Sequence, residues 1–456
     1  MSPSDDAKNA IESAMECLRK SAADWGDARI EDVHHRKFST GSVGGLSTST
    51  SRESGVGIRQ FANRVSGFAA ATGFDDCRVL SDRALSLARL CSSREKAEWI
   101  LPTTELKDVA IPVLENRTTL DIGNLLGEYS ERCQAVDGVR HVQVTLDSAE
   151  GWRSVVTPLG SALRPVSECA LRGLVRAERA DKHQRLPLFV SAPASSYLPE
   201  RLEQSLKRIQ AAVELVQEQE CSRYEGKFDL VLSPRASALL IHEAFAHLTE
   251  ADRFPHSQAL PLGRHVSPIN LNISDVNAPV NYCGSHGFDD EGAKAASVPL
   301  VTDGRWVGLL TDIETSSRLN LSLTGSARST SYRYPPVPRV RTTSVASGKH
   351  GEDEMIAGID SGLYVDWPAG GHIRGNVVAA DYMVVRSIQH GRLGRLTAPM
   401  RLASPPLALL AQIRAVGNNV EFFDDVGWCS RGVQRELPIT MGAPSLMIAA
   451  VPVHSI

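Results

Sequence analysis

The hexapeptide His242-Glu243-Ala244-Phe245-Ala246-His247 puts two imidazoles and a carboxylate side by side in the chain. Neutral imidazoles can bind a zinc ion, and an adjacent carboxylate can take a proton from the water that the metal holds, which is the chemistry of a zinc peptidase. The spacing departs from the common HExxH form, whose histidines stand at i and i+4 on one helical face; here the second stands at i+5. On a regular α-helix the two would point about 140° apart. A single i to i+5 turn, a π-bulge, would bring both to one metal, and such bulges recur at functional sites. The expectation is an irregular helix carrying the whole HExxxH motif. The competing reading packs one histidine against a sheet and leaves the other in solvent.

Catalytic zinc takes three protein ligands and keeps a further position for water, so another donor must come from elsewhere in the chain. Spacing alone leaves Cys283, His286, His372 and Cys429 open. Cys429 sits in a glycine-flanked turn, Val426 to Gly432, suited to exposing a thiolate, with a buried inert thiol as the competing reading. The acidic run Asp289-Asp290-Glu291 is followed by no ordered loop of oxygen ligands, as a calcium site needs, so a turn or hydrogen-bonding role is expected. No GxGxxG follows a strand and no GxxxxGK[ST] occurs, which leaves nucleotide binding without support.

The elements that must position these residues read as an α+β fold. Ile11, Met15 and Leu18 recur at helical spacing, residues 28–38 turn strand-like, and 41–45 look like a turn. Gly55 to Arg59 suits a second strand with close backbone packing, and helices are expected over 76–91 and 119–135, with a strand-rich stretch between 140 and 175. Proline and charge interrupt the pattern from Ile100 to Thr118. Leu202, Leu206, Ile209, Val213 and Val216 mark an amphipathic helix. The domain boundary is placed just after it, giving an N-terminal mixed α/β domain over 1–225 and a mainly β C-terminal domain over 226–456. In the latter, the strand Phe228 to Leu232 leads into a helical run, Ala236 to Thr249, that carries the motif.

Composition excludes several classes. The 456 residues, 42% of them hydrophobic and 22% charged, suit a globular enzyme with sizeable cores. A net charge of −4 gives no global attraction to nucleic acid or an anionic membrane. The acidic start, Ser4-Asp5-Asp6, is unlike a secretory signal, and no apolar run reaches the length of a membrane helix, so a cytoplasmic protein is expected. Eight scattered cysteines without a CxxC pair read as reduced thiols.

Beyond HEAFAH, followed by Glu250 and Asp252, the chain carries Gly287-Phe288-Asp289-Asp290-Glu291-Gly292, the run Thr324 to Tyr332, Pro336-Val337-Pro338-Arg339, Gly370-Gly371, Gly417-Asn418-Asn419, Val426-Gly427-Trp428-Cys429 and Gly442-Ala443-Pro444. Trp25-Gly26-Asp27 and Gly55 to Arg59 match more weakly. In this order and spacing the motifs resemble the TldD branch of the TldD/PmbA family, strongly from about residue 230 onward.

That resemblance implies a zinc metallopeptidase with His242, His247 and Cys429 as ligands and Glu243 as general base. It also implies a heterodimer with a PmbA/TldE-like subunit, which lacks the metal motif, and a cleft where unfolded peptides bind by strand addition. Arg328, Tyr332 and Arg339 are expected as substrate or oxyanion contacts. The family usually has glycine where Ala246 stands and near Leu248, and a longer glycine run around His372 to Arg374. Side chains beside the second ligand are expected to narrow the space next to the metal. Two alternatives follow: a small-molecule amide hydrolase recruited to antibiotic biosynthesis, and a non-catalytic scaffold or peptide-binding subunit.

Overall fold

Along β4 (Val139–Thr157) alternate side chains are buried, and the long antiparallel hairpin that it makes with β5 (Gly160–Arg179) is the spine of an N-terminal sheet. The computed structural model describes residues 3–40, 45–63, 65–74, 76–91, 98–103, 106, 121–179, 182–216, 223–255 and 260–456. With β1 (Trp25–Thr40), β2 (Leu46–Ala62), β3 (Val65–Thr72) and β6 (Lys182–Ala192) the hairpin forms a six-stranded sheet in the order β3-β2-β1-β4-β5-β6, antiparallel throughout.

The amphipathic helices α1 (Asp5–Lys20), α2 (Cys77–Cys91), α3 (Ile122–Gln134) and α4 (Leu198–Val216) bury their apolar stripes on one face of this sheet. Ile30, Ile58 and Trp152 meet α1 and α2, while Val142, Leu146 and Leu171 meet α3 and α4. The opposite face is polar where it meets the rest of the chain. Asp27 pairs with Arg29 at 2.8 Å and with Arg59 at 2.7 Å, and Arg59 also pairs with Glu291, all buried. A β-carbon at Gly57 would lie 2.1 Å from the carbonyl oxygen of Tyr332, so the close packing expected at this glycine is what seats the second half of the chain on the sheet.

That second half is β-rich. Strands Ser361–Arg374, β7 (Glu225–Leu232), Leu446–Ser455, Met400–Ser404 and Val377–Gln389 pair in that order, and the last pairs back onto the first to close the sheet. A second sheet of six short strands, from Arg305–Trp306 at one edge to Glu421–Phe423 at the other, lies across from it. Between them runs α5 (Pro234–Ala244), buried from Ala236 to His242 by residues of both sheets, among them Val365, Tyr382, Val345 and Met441. An apolar helix at the centre of the core is what its run of Ala, Leu and Ile dictates.

The α+β class therefore stands. The expected turn over 41–45 falls, all but Gly45, outside the described residues, as does most of the Ile100 to Thr118 stretch. The apolar run from Trp306 to Leu310 contributes only Arg305–Trp306 as strand; Leu309 and Leu310 are core residues outside the sheets.

Candidate metal centre

Ser233 caps α5 by accepting the Ala236 N–H at 3.2 Å, and its own hydroxyl donates to Asp366 at 2.7 Å. Pro234 starts the helix, where its missing N–H costs nothing. The helix carries His242 and Glu243 but ends at Ala244. At Phe245 the backbone leaves helical geometry, with φ −130° and ψ −45°, and the chain continues as a separate tight 3-10 turn over Ala246–Thr249. The motif is thus not carried on one bulged helix, as expected from the sequence, but is split by a break. Burial explains it: Phe245 drives its ring into the core against Trp306, centroids 4.9 Å apart, and Ala246 is also fully buried. His247 swings round as a result.

The two imidazoles end with ring centroids 4.6 Å apart at 68°. Cys429, at the start of the strand Cys429–Arg431, places its Sγ 3.7 Å from His247 Nε2. One ligand atom from each of the three lies within 4.8 Å of the others, and all three residues are buried. The other candidate donors lie elsewhere: Cys283 gives its backbone N–H to Asp424, His286 Nδ1 meets Arg164 at 2.9 Å, and His372 is exposed.

The surroundings suit a cation. Glu250 is fully buried and accepts from His247 Nδ1 at 3.2 Å, which turns the imidazole so that Nε2 faces Cys429. Arg253 and Arg431 each stand 3.4 Å from the second oxygen of Glu250 and hold it. His242 Nδ1 is buried with no partner among the described residues, an orphan that a metal would satisfy. Burial opposes charge on Cys429, yet His247, the hydrogen bonds from both histidines and nearby Arg339 offset it and hold the thiol well below its ordinary pKa. Burial likewise opposes charge on His247, but Cys429 and Glu250 prevail and raise it well above the usual imidazole value. A poised thiolate with two imidazoles is a donor set that fits zinc.

Glu243, next to His242 in the chain, is half-buried and lines a cleft of about 220 Å³ together with Gly370, Gly371, Trp428 and Ser430. A β-carbon on Gly371 would lie 2.7 Å from Glu243 Cγ, so glycine is required opposite the carboxylate. Ala246 and Leu248, expected to narrow the space beside the metal, instead fill or cover the core and do not line this cleft.

The three tentative substrate residues are spread out. Arg339 is fully buried and donates to the carbonyl oxygen of Cys429 at 2.8 Å, supporting the strand that carries the thiol. Arg328 donates to the carbonyls of Val340 and Pro438 and lines a different pocket. Tyr332 is buried on β2 and β3, its hydroxyl 3.3 Å from Thr72. None of them lines the cleft beside Glu243. The acidic run has the turn role expected of it: Asp289 accepts the N–H groups of Glu291, Ala293 and Ala327, while Glu291 accepts the N–H of Ile313. Sequence reasoning missed Arg431 altogether and gave Glu250 no role, although an acid three residues after a metal-binding histidine is a usable signal.

The sequence model of the PmbA/TldA metallopeptidase C-terminal domain matches residues 225–455. A metalloprotease of Synechocystis is 35% identical over 234 residues, 50% of this chain and 50% of its own length. A zinc metalloprotease TldD homolog of Saccharolobus solfataricus is 32% identical over 153 residues, 33% of this chain and 34% of its own. The matches thus span about half the length of these relatives or less. In fold, the chain is similar to TldE from Thermococcus kodakarensis, with TM-score 0.75, 15% identity, and 98% and 99% of the two chains covered. It is equally similar to a putative modulator of a DNA gyrase from Thermotoga maritima, with TM-score 0.74 at 16% identity over 98% and 99%.

Proposed function

The chain belongs to the PmbA/TldD metallopeptidase family, and from that premise we propose that it is a zinc-dependent hydrolase of amide bonds in unstructured peptides, acting in the cytoplasm as the metal-bearing subunit beside a PmbA/TldE-like partner. The observation that carries this reading is the convergence of His242, His247 and Cys429, with Glu243, the chain neighbour of His242, lining a cleft that Trp428 and Ser430 on either side of Cys429 also line. His242, His247 and Cys429 would hold the zinc, which when bound would supply a Lewis acid for the amide carbonyl and lower the pKa of a water.

Glu243 removes a proton from the attacking water as its oxygen bonds to the carbonyl carbon, then delivers it to the amine nitrogen as the C–N bond breaks. Glu250 keeps His247 Nε2 turned toward Cys429, and Arg339 holds the Cys429 strand. The relatives' names, metalloprotease and zinc metalloprotease, support the reaction class. The likeness in fold to TldE supports a partner of the same architecture. Among the described residues no helix is long and apolar enough to cross a membrane.

The test is metal content, by elemental analysis of the purified chain and of Cys429→Ala, followed by turnover of an unstructured peptide with and without the partner. About one zinc per chain, reduced in the variant, is expected. Absence of zinc in both, after zinc is supplied with the partner present, would replace this reading with that of a scaffold subunit.

A further inference from the structure

The polar face of the N-terminal sheet continues past the cleft as a groove. Along β5 the side chains of Arg164, Glu168, Ala170 and Arg172 project to one face, because strand side chains alternate. Arg172 lines the cleft that holds Glu243. Glu168 and Ala170 line an adjoining groove of about 540 Å³, which shares Arg172, Trp428 and Glu436 with that cleft. Arg164 lines a pocket of about 250 Å³ at the far end, which shares Arg153, Glu168, Leu437 and Pro438 with the groove. No register shift interrupts β5 between Arg164 and Arg172. At roughly 3.3 Å per residue this stretch spans about 26 Å, the reach of an extended peptide of about eight residues.

The far pocket has donors to spare. Arg153, Arg164, Arg328 and Arg341 line it; Arg153 is shared between Glu31 at 3.1 Å and Glu168 at 3.6 Å, and Arg341 pairs with Asp275 at 2.8 Å. Asp289 is engaged by three backbone N–H groups and Asp290 by the Ser329 N–H, so the donors left over are those of His286 and Arg341. Arg164 donates to His286 Nδ1, which leaves the proton of the neutral imidazole on Nε2. That Nε2 and Arg341 Nη1 are buried without an acceptor among the described residues. Burial, and then the charge of Arg339, lower the guanidinium pKa of Arg328 to about 10, a mark of how much positive charge is gathered here. Donor excess at the end of a peptide-sized groove calls for an anion with planar, paired oxygens.

We propose that this pocket binds the carboxylate of an extended peptide lying along β5, either its C-terminus or an acidic side chain; this rests on the peptidase reading for the identity of the chain that fills the groove. Binding is measured on the full chain by fluorescence anisotropy, which needs no turnover, so loss of hydrolysis and loss of this subsite are told apart. The probes are a labelled, unstructured peptide of about twelve residues with a free C-terminus, its C-terminal amide, and the amide with aspartate as its last residue. The free acid is expected to bind about tenfold more tightly than the amide, the size of one charge-assisted contact. Arg164→Gln, a change at a half-buried residue, should abolish that difference, and Arg164→Lys should keep part of it. If the aspartyl amide matches the free acid, the pocket reads any carboxylate; if it matches the plain amide, the pocket reads the chain terminus. Equal affinity of acid and amide for the unaltered chain, or a difference that survives Arg164→Gln, overturns the proposal.

Discussion

Replacing Glu250 by glutamine tests whether the carboxylate behind His247 prepares the metal site. The carboxylate accepts from His247 Nδ1 at 3.2 Å and meets Arg253 and Arg431 at 3.4 Å each, wholly out of solvent. Glutamine keeps the shape but offers one acceptor oxygen and a donor NH₂. If the oxygen stays with His247, the NH₂ faces two guanidinium groups, donor against donor. If the amide flips, Nδ1 must accept, and the imidazole proton moves to Nε2, the atom that faces Cys429. Either arrangement weakens zinc binding, by about 10–100-fold for such a partner. Worked through linkage, that removes about 1.4–2.7 kcal/mol of zinc-dependent stabilisation at a fixed excess of metal. The assay is zinc competition against a chromogenic chelator, paired with melting curves with and without zinc. At saturating zinc, kcat should stay near that of the unaltered chain, because Glu250 does not face the cleft. Unchanged zinc affinity in Glu250→Gln would refute the argument that this carboxylate orients the ligand.

Three further outcomes follow from the same geometry. Glu243→Gln should lower kcat by about 10²–10⁴-fold with zinc content retained, as for a lost general base, read from peptide turnover and elemental analysis together. Gly371→Ala brings a methyl group to 2.7 Å from Glu243 Cγ, and should cost about 1–3 kcal/mol of stability or displace the carboxylate and depress kcat/KM, with zinc binding unaffected. Asp424 is pushed up to about 7, chiefly by burial, so its folded pKa exceeds the unfolded one. Its contribution is complete below about pH 4 and is lost as pH rises through about 7. Asp424→Asn should therefore gain stability relative to the unaltered chain as pH rises from about 4 to about 7, measured by urea midpoints; a constant difference would contradict this.

Much of the fold was legible because apolar periodicity is a local property. The stripes of α1, α2, α3 and α4 are written in their own residues, and Gly55 and Gly57 announced a close approach whose partner is Tyr332. What closes against what was not legible. The pairing of Ser361–Arg374 with both β7 and Val377–Gln389 joins segments far apart in the chain, and nothing in one strand's pattern names its neighbour. The substrate roles expected of Arg328, Tyr332 and Arg339 show the same limit. A polar residue in a serine- and proline-rich loop reads as exposed, yet all three are buried, and Arg328 and Arg339 donate to backbone carbonyls whose positions only the folded chain reveals.

The metal motif shows why an odd spacing can be read correctly in chemistry and wrongly in geometry. Helical arithmetic asks how a continuous helix could bring positions i and i+5 together, and a π-bulge is the answer that keeps the helix whole. The chain is under no such constraint, because α5 is buried along most of its length and its end is decided by tertiary packing. Phe245 and Ala246 are both fully buried, and consecutive residues on a regular helix project about 100° apart. Ending the helix at Ala244 lets Phe245 reach Trp306, turns Ala246 into the core, and leaves His247 on a short turn free to face His242 and Cys429. In this site the extra residue relative to HExxH is therefore the core's requirement, and the metal geometry is met by the turn that follows it.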